Sequence, residues 1–101
     1  MTHEGIIKEF EQVSNSIAEK EITKTKLELD NIDLTSKETM TKLTTALMRD
    51  NEEYYSVCTD LVLLKSTYAV LERKVAIVKE MIRAGILTTP NSIDMFVQDI
   101  S

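Results

Sequence analysis

Residues 40–82 read MTKLTTALMRDNEEYYSVCTDLVLLKSTYAVLERKVAIVKEMI, and this stretch decides the fold. Stepping alternately by three and four from Met40 visits Leu43, Leu47, Asp50, Tyr54, Val57, Leu61, Leu64, Tyr68, Leu71, Val75, Val78 and Ile82. All but Asp50 are apolar or aromatic, in a chain whose overall hydrophobic content is 43%. Unbroken 3-4 spacing keeps these side chains on one seam of an α-helix, which is the pattern of a coiled coil. The seam then predicts self-association, with Met40, Leu43, Leu47, Tyr54, Val57, Leu61, Leu64, Tyr68, Leu71, Val75, Val78 and Ile82 as the oligomer interface.

The flanks mark where this helix starts and stops. Thr35-Ser36-Lys37-Glu38 matches a capping box, with Thr35 as N-cap and Glu38 reaching back to its N–H. Gly85 stands where a left-handed residue closes a helix, Ile86 follows as the apolar residue that packs back on the last turn, and Lys79 and Arg83 suit the negative end of the helix dipole. One helix is therefore expected from about 36 to 84, a rod of ~70 Å at ~1.5 Å per residue. From Leu61 it becomes a short repeat, LVLLKST, YAVLERK, VAIVKEM, which adds Leu63, Val70 and Ile77 beside the seam. An arc this broad needs neighbours on two sides, so residues 61–82 are expected inside a multi-helix bundle.

Upstream, Ile6, Phe10, Val13 and Ile17 share one helical face, and Ile22, Leu29 and Ile32 share another rotated by ~120°. A helix over about 4–30 is expected, either with a stutter or with a break near Glu19–Thr25. The short link at Asn31-Ile32-Asp33-Leu34 favours an antiparallel hairpin. Downstream, Thr88-Thr89-Pro90 reads as a loop ending in an N-cap with Pro at the first helical position. Ile93, Phe96, Val97 and Ile100 then fall at i, i+3, i+4 and i+7, a short amphipathic helix over about 90–98. That helix is a candidate docking element for a partner groove, or else a lid on its own bundle. The reading is an all-α chain and a single helical domain: a long central helix, a shorter N-terminal one packed as a hairpin or bundle, and a short C-terminal one, assembled as an oligomeric coiled coil.

Composition excludes several functions. One His, His3, and one Cys, Cys58, offer neither a nucleophile with its base nor a metal-ligand cluster. Gly5 and Gly85 are the only glycines, too few for a phosphate-binding loop, and Glu52 and Glu53 are adjacent on a helix and point apart. No catalytic residue, cofactor or metal site is expected. No stretch approaches the ~20 apolar residues that span a bilayer, and the N-terminus lacks a secretory pattern, so a cytoplasmic protein without membrane partners is expected (in the host cell's cytoplasm, if viral). The net charge of −5 disfavours nucleic acid as a default partner.

Two polar features carry sharper readings. Asp50 is the one polar residue of the seam, either a candidate register residue whose carboxylate a cation such as Arg49 on another chain would keep charged, or a point where the seam is solvated near a crossing or splay. Lys65, Arg73, Lys74, Lys79 and Arg83 form the only basic concentration, either a solvated face laced with Glu72 and Glu80 or a phosphate-contacting ridge repeated around an oligomer. The stretch Asn51-Glu52-Glu53-Tyr54-Tyr55-Ser56, with Leu64-Lys65 and Leu71-Glu72, resembles the helical core of phage recombination mediator proteins. That resemblance implies a small oligomer that loads a recombinase onto single-stranded DNA. It supplies the alternative to the main expectation, which is a non-enzymatic interaction protein acting on itself and on another protein as adaptor, assembly factor or inhibitor.

Overall fold

The structure, a computed structural model, describes residues 2–32 and 39–101. Among these it is all-helical, with α1 over His3–Asp30, α2 over Met40–Asp50, α3 over Glu52–Arg83 and α4 over Pro90–Ile100. The Thr35–Glu38 capping box lies outside the described residues. Thr39 caps α2, its hydroxyl accepting from the Lys42 N–H at 3.3 Å.

The single helix expected over about 36–84 is two helices, because Asn51 interrupts it. Its backbone is extended (φ −114°, ψ 105°), its N–H donates to Leu47 O at 2.9 Å, and its side-chain oxygen accepts from the Tyr54 N–H at 3.0 Å. One residue thus closes α2 and caps α3. Glu52 and Glu53 occupy the first turn of α3 and Arg49 the last turn of α2, each favourable to its helix dipole. Asn51 with two following acids is an N-cap signal that apolar spacing alone does not register.

The helices pack as two compact units, one formed by Met1–Asn15 with Ser66–Ser101 and the other by Ser16–Lys65. In the first unit, Ile6, Leu71, Val78 and Val97 are buried together, with Phe10, Val13, Val75, Ile93, Phe96 and Ile100 packed around them. Phe10 stacks on Tyr68 with ring centroids 4.7 Å apart, and the His3 N–H donates to Asp94 Oδ1 at 3.0 Å. In the second unit, Leu47, Tyr54, Val57 and Leu61 are buried. There Lys20 meets Asp60 at 3.1 Å, Glu21 meets Lys65 at 2.9 Å, and the Tyr54 hydroxyl donates to Glu28 at 2.7 Å. From Lys20–Asp60 to Glu28–Tyr54 the numbers rise along α1 and fall along α3, so the two helices run antiparallel in the second unit.

Neither a break nor a change of face interrupts α1 near Glu19–Thr25. Ile22 and Leu29 remain exposed, while Lys20, Glu21 and Glu28 tie that half of α1 to α3 through polar contacts. At the end of α3, Gly85 takes φ +76° and donates to Ile82 O, and Ile86 N–H reaches Met81 O, both at 3.0 Å. This is the Schellman arrangement that glycine permits. The apolar residue it turns inward is Leu87, not Ile86, which stays exposed. Thr89 and Ser92 form a reciprocal capping box ahead of α4, with Pro90 in the first turn.

Candidate interaction surface

The heptad seam predicted as an oligomer interface is largely consumed within the chain. Leu47, Tyr54, Val57, Leu61, Leu71 and Val78 are buried, and Leu43, Leu64, Tyr68 and Val75 are half-buried. Only Met40 and Ile82, at the two ends, are exposed. In the first unit Leu71, Val75 and Val78 meet Ile6, Phe10 and Val13 of α1 together with α4. The physical reason is the hairpin: a seam accepts any apolar helix of matching spacing, and α1 is tethered beside it. The same holds for α4. Ile93, Phe96, Val97 and Ile100, read as a candidate docking face, pack against their own core, and Val97 is fully buried.

Asp50 does not sit in a buried seam. It is exposed at the α2–α3 junction and accepts two hydrogen bonds from Arg49 of its own chain, at 2.9 and 3.0 Å. Those bonds, then the guanidinium charge itself, hold its carboxyl below the usual aspartate range. Tyr54 is the opposite case. Its ring is buried and its hydroxyl finds Glu28 rather than water. Burial first, and then the hydrogen bond to the Glu28 carboxylate, push its pKa above the ordinary tyrosine value, so the phenol keeps its proton.

The basic residues divide. Lys65 is bound to Glu21 and Arg83 to Glu80, at 2.9 and 2.8 Å, and the Lys65 hydrogen bond lowers the Glu21 pKa. Arg73, Lys74 and Lys79 enter no ion pair among the described residues. The proposed phosphate ridge therefore has two of its five cations already neutralised within the chain.

Apolar surface also stays exposed beside the seam on α3. Val62, Leu63, Val70 and Ile77 are 68%, 63%, 54% and 42% exposed. Leu63, Val70 and Ile77 recur every seven residues, so they share one face of α3. The spacing predicts them inside a bundle; within this chain they are outside. Around Val70 and Ile77 the surface forms a groove of about 470 Å³, lined also by Ser66, Ala69, Arg73, Lys74 and Ile100. The contribution of Ile100 was not legible in the sequence, because it depends on where α4 folds back. Among the described residues no cluster of His, Cys, Asp or Glu could hold a metal ion, and no helix is long and apolar enough to cross a membrane.

Compared with protein-family models, curated proteins and solved structures, the chain matches none.

Proposed function

We propose that this chain is a non-enzymatic, self-associating helical interaction protein that acts as an adaptor or assembly subunit through the outer face of α3. One observation carries the reading. Among the described residues, twelve large hydrophobic side chains are exposed and nine hydrophobic residues are buried. Scattered apolar residues on a surface are ordinary, whereas a row of aliphatic side chains along one helix face is the mark of an interaction site.

Magnitudes limit what that row does alone. Covering each of these half-exposed aliphatic side chains returns about 1 kcal/mol. Association costs about 4–15 kcal/mol in lost translational and rotational freedom and ordering. Val62, Leu63, Val70 and Ile77 therefore do not sustain a tight complex unaided, and a stable assembly engages further surface. The charge distribution favours a protein partner: at −5 overall, with Lys65 and Arg83 already paired, the chain is poorly suited to a polyanion.

Light scattering over a range of protein concentration tests the reading. The expected mass rises above the 11.5 kDa of one chain as concentration increases. A mass fixed at one chain up to hundreds of micromolar would remove the proposal.

A further inference from the structure

At the α2–α3 junction, two signals in the same few residues oppose each other. The capping chemistry favours a break. Asn51 accepts the Tyr54 N–H on its side-chain oxygen at 3.0 Å, Arg49 ends α2, and Glu52 and Glu53 open α3. The apolar spacing favours continuity. Met40, Leu43 and Leu47 before the break share one 3-4 register with Tyr54, Val57 and Leu61 after it, and neither Gly nor Pro occurs between Met40 and Arg83. Where local and longer-range preferences conflict in this way, two packings of one segment lie close in free energy.

The two arrangements differ at little more than one residue. The Asn51 N–H still reaches Leu47 O and the Tyr55 N–H still reaches Asn51 O, at 2.9 and 3.0 Å, as they do in a continuous helix. Rotating Asn51 from ψ 105° to the helical value of about −42° gives the N–H groups of Glu52, Glu53 and Tyr54 the carbonyls of Met48, Arg49 and Asp50, in place of the Asn51 cap. The chain has the reach for this. Glu28 lies beside Tyr54, whose hydroxyl it accepts at 2.7 Å, and α1 ends at Asp30. A continuous helix sets Met40 ~21 Å beyond Tyr54, and the nine residues between Asp30 and Met40 span up to ~30 Å. The contacts between α1 and α3 in the second unit are therefore compatible with both arrangements.

We infer that Asn51 is a hinge, and that α2 exchanges between the kinked state and a minor state collinear with α3. The consequence falls on Leu47, which is only 6% exposed when the junction is kinked. In the collinear state Met40, Leu43 and Leu47 run past the last turn of α1, so the kink acts as a catch that keeps this half of the seam covered. The hinge does not depend on the self-association reading, and its test uses protein dilute enough to be a single chain.

Two single substitutions bias the junction in opposite directions. Glu52→Pro places proline at the first position of α3, which forces Asn51 to stay extended and blocks a continuous helix. Asn51→Ala removes the cap and supplies the best helix former. Relaxation dispersion on the unaltered protein is expected to show microsecond-to-millisecond exchange centred on residues 49–54, with a minor population of about 0.1–10%. Glu52→Pro is expected to abolish that exchange with the fold retained. In Asn51→Ala, the Glu53 amide is expected to exchange with solvent at least about tenfold more slowly, because it then bonds to Arg49 O. Flat dispersion in the unaltered protein would overturn the hinge, as would exchange that persists undiminished in Glu52→Pro. So would an unprotected Glu53 amide in an Asn51→Ala variant of normal helix content. Should that variant lose helix content, the comparison of the unaltered protein with Glu52→Pro decides alone.

Discussion

The Leu71→Ala variant is expected to lose about 2–5 kcal/mol of folding stability, and to lose it at every protein concentration. Leu71 is buried in the first unit against Ile6, Val78 and Val97, all on its own chain, so truncation leaves a cavity inside one protomer. Against a total of about 5–15 kcal/mol for a small domain, that is a large share. At about 4–8 °C per kcal/mol for a chain of this size, the melting temperature falls by at least about 8 °C. Thermal denaturation at several concentrations reads both the loss and its independence of concentration. A deficit seen only when the protein is concentrated would place Leu71 between chains instead.

Val97→Asp is expected to cost more, because it puts an uncompensated charge where Val97 is now fully buried. The residues around it are Ile6, Leu71 and Val78 with a rim of further hydrophobic side chains, and none is a cation. Leaving a carboxylate buried without a partner costs about 3–5 kcal/mol. The expected result is release of α4, read as loss of amide protection over Pro90–Ile100 in hydrogen exchange. The pH dependence has a definite sign. Burial raises the folded-state pKa of the new aspartate above its unfolded value of about 3.9, so its penalty is largest above the raised pKa and fades as pH falls toward and below 3.9. Unchanged protection of α4 in this variant would show that its apolar face is not packed as described.

These residues also show what was legible beforehand. Helix identity was, because apolar spacing reports directly on the periodicity of the backbone. The start of α4 was too, because Thr89 and Pro90 act locally. What the seam packs against was not. Leu71 and Val78 carry the same spacing whether their neighbour is another chain or α1, and spacing contains no information about which helix fills the groove. The break at Asn51 was hidden for a related reason: the heptad phase continues across it from Leu47 to Tyr54, while the local capping chemistry that stops the helix is polar.

The same limit applies to the outer row of α3. Leu63, Val70 and Ile77 were visible as a widened arc, and the need for a second neighbour followed from it. α1 fills the seam side, which leaves the outer row exposed. The exposed face at Ile22 and Leu29 was visible only as an apparent irregularity in α1. It becomes interpretable once α1 is seen to run unbroken past Glu19–Thr25 with those two side chains exposed.

The central claim is that the heptad seam of α3 is satisfied inside each chain. Circular dichroism across a thousand-fold dilution addresses it most directly, since a seam shared between chains couples folding to assembly and one filled by α1 does not. The account predicts that helix content and melting temperature hold nearly constant down to concentrations where the protein is a single chain of 11.5 kDa. Helicity that disappears in step with dissociation would contradict it.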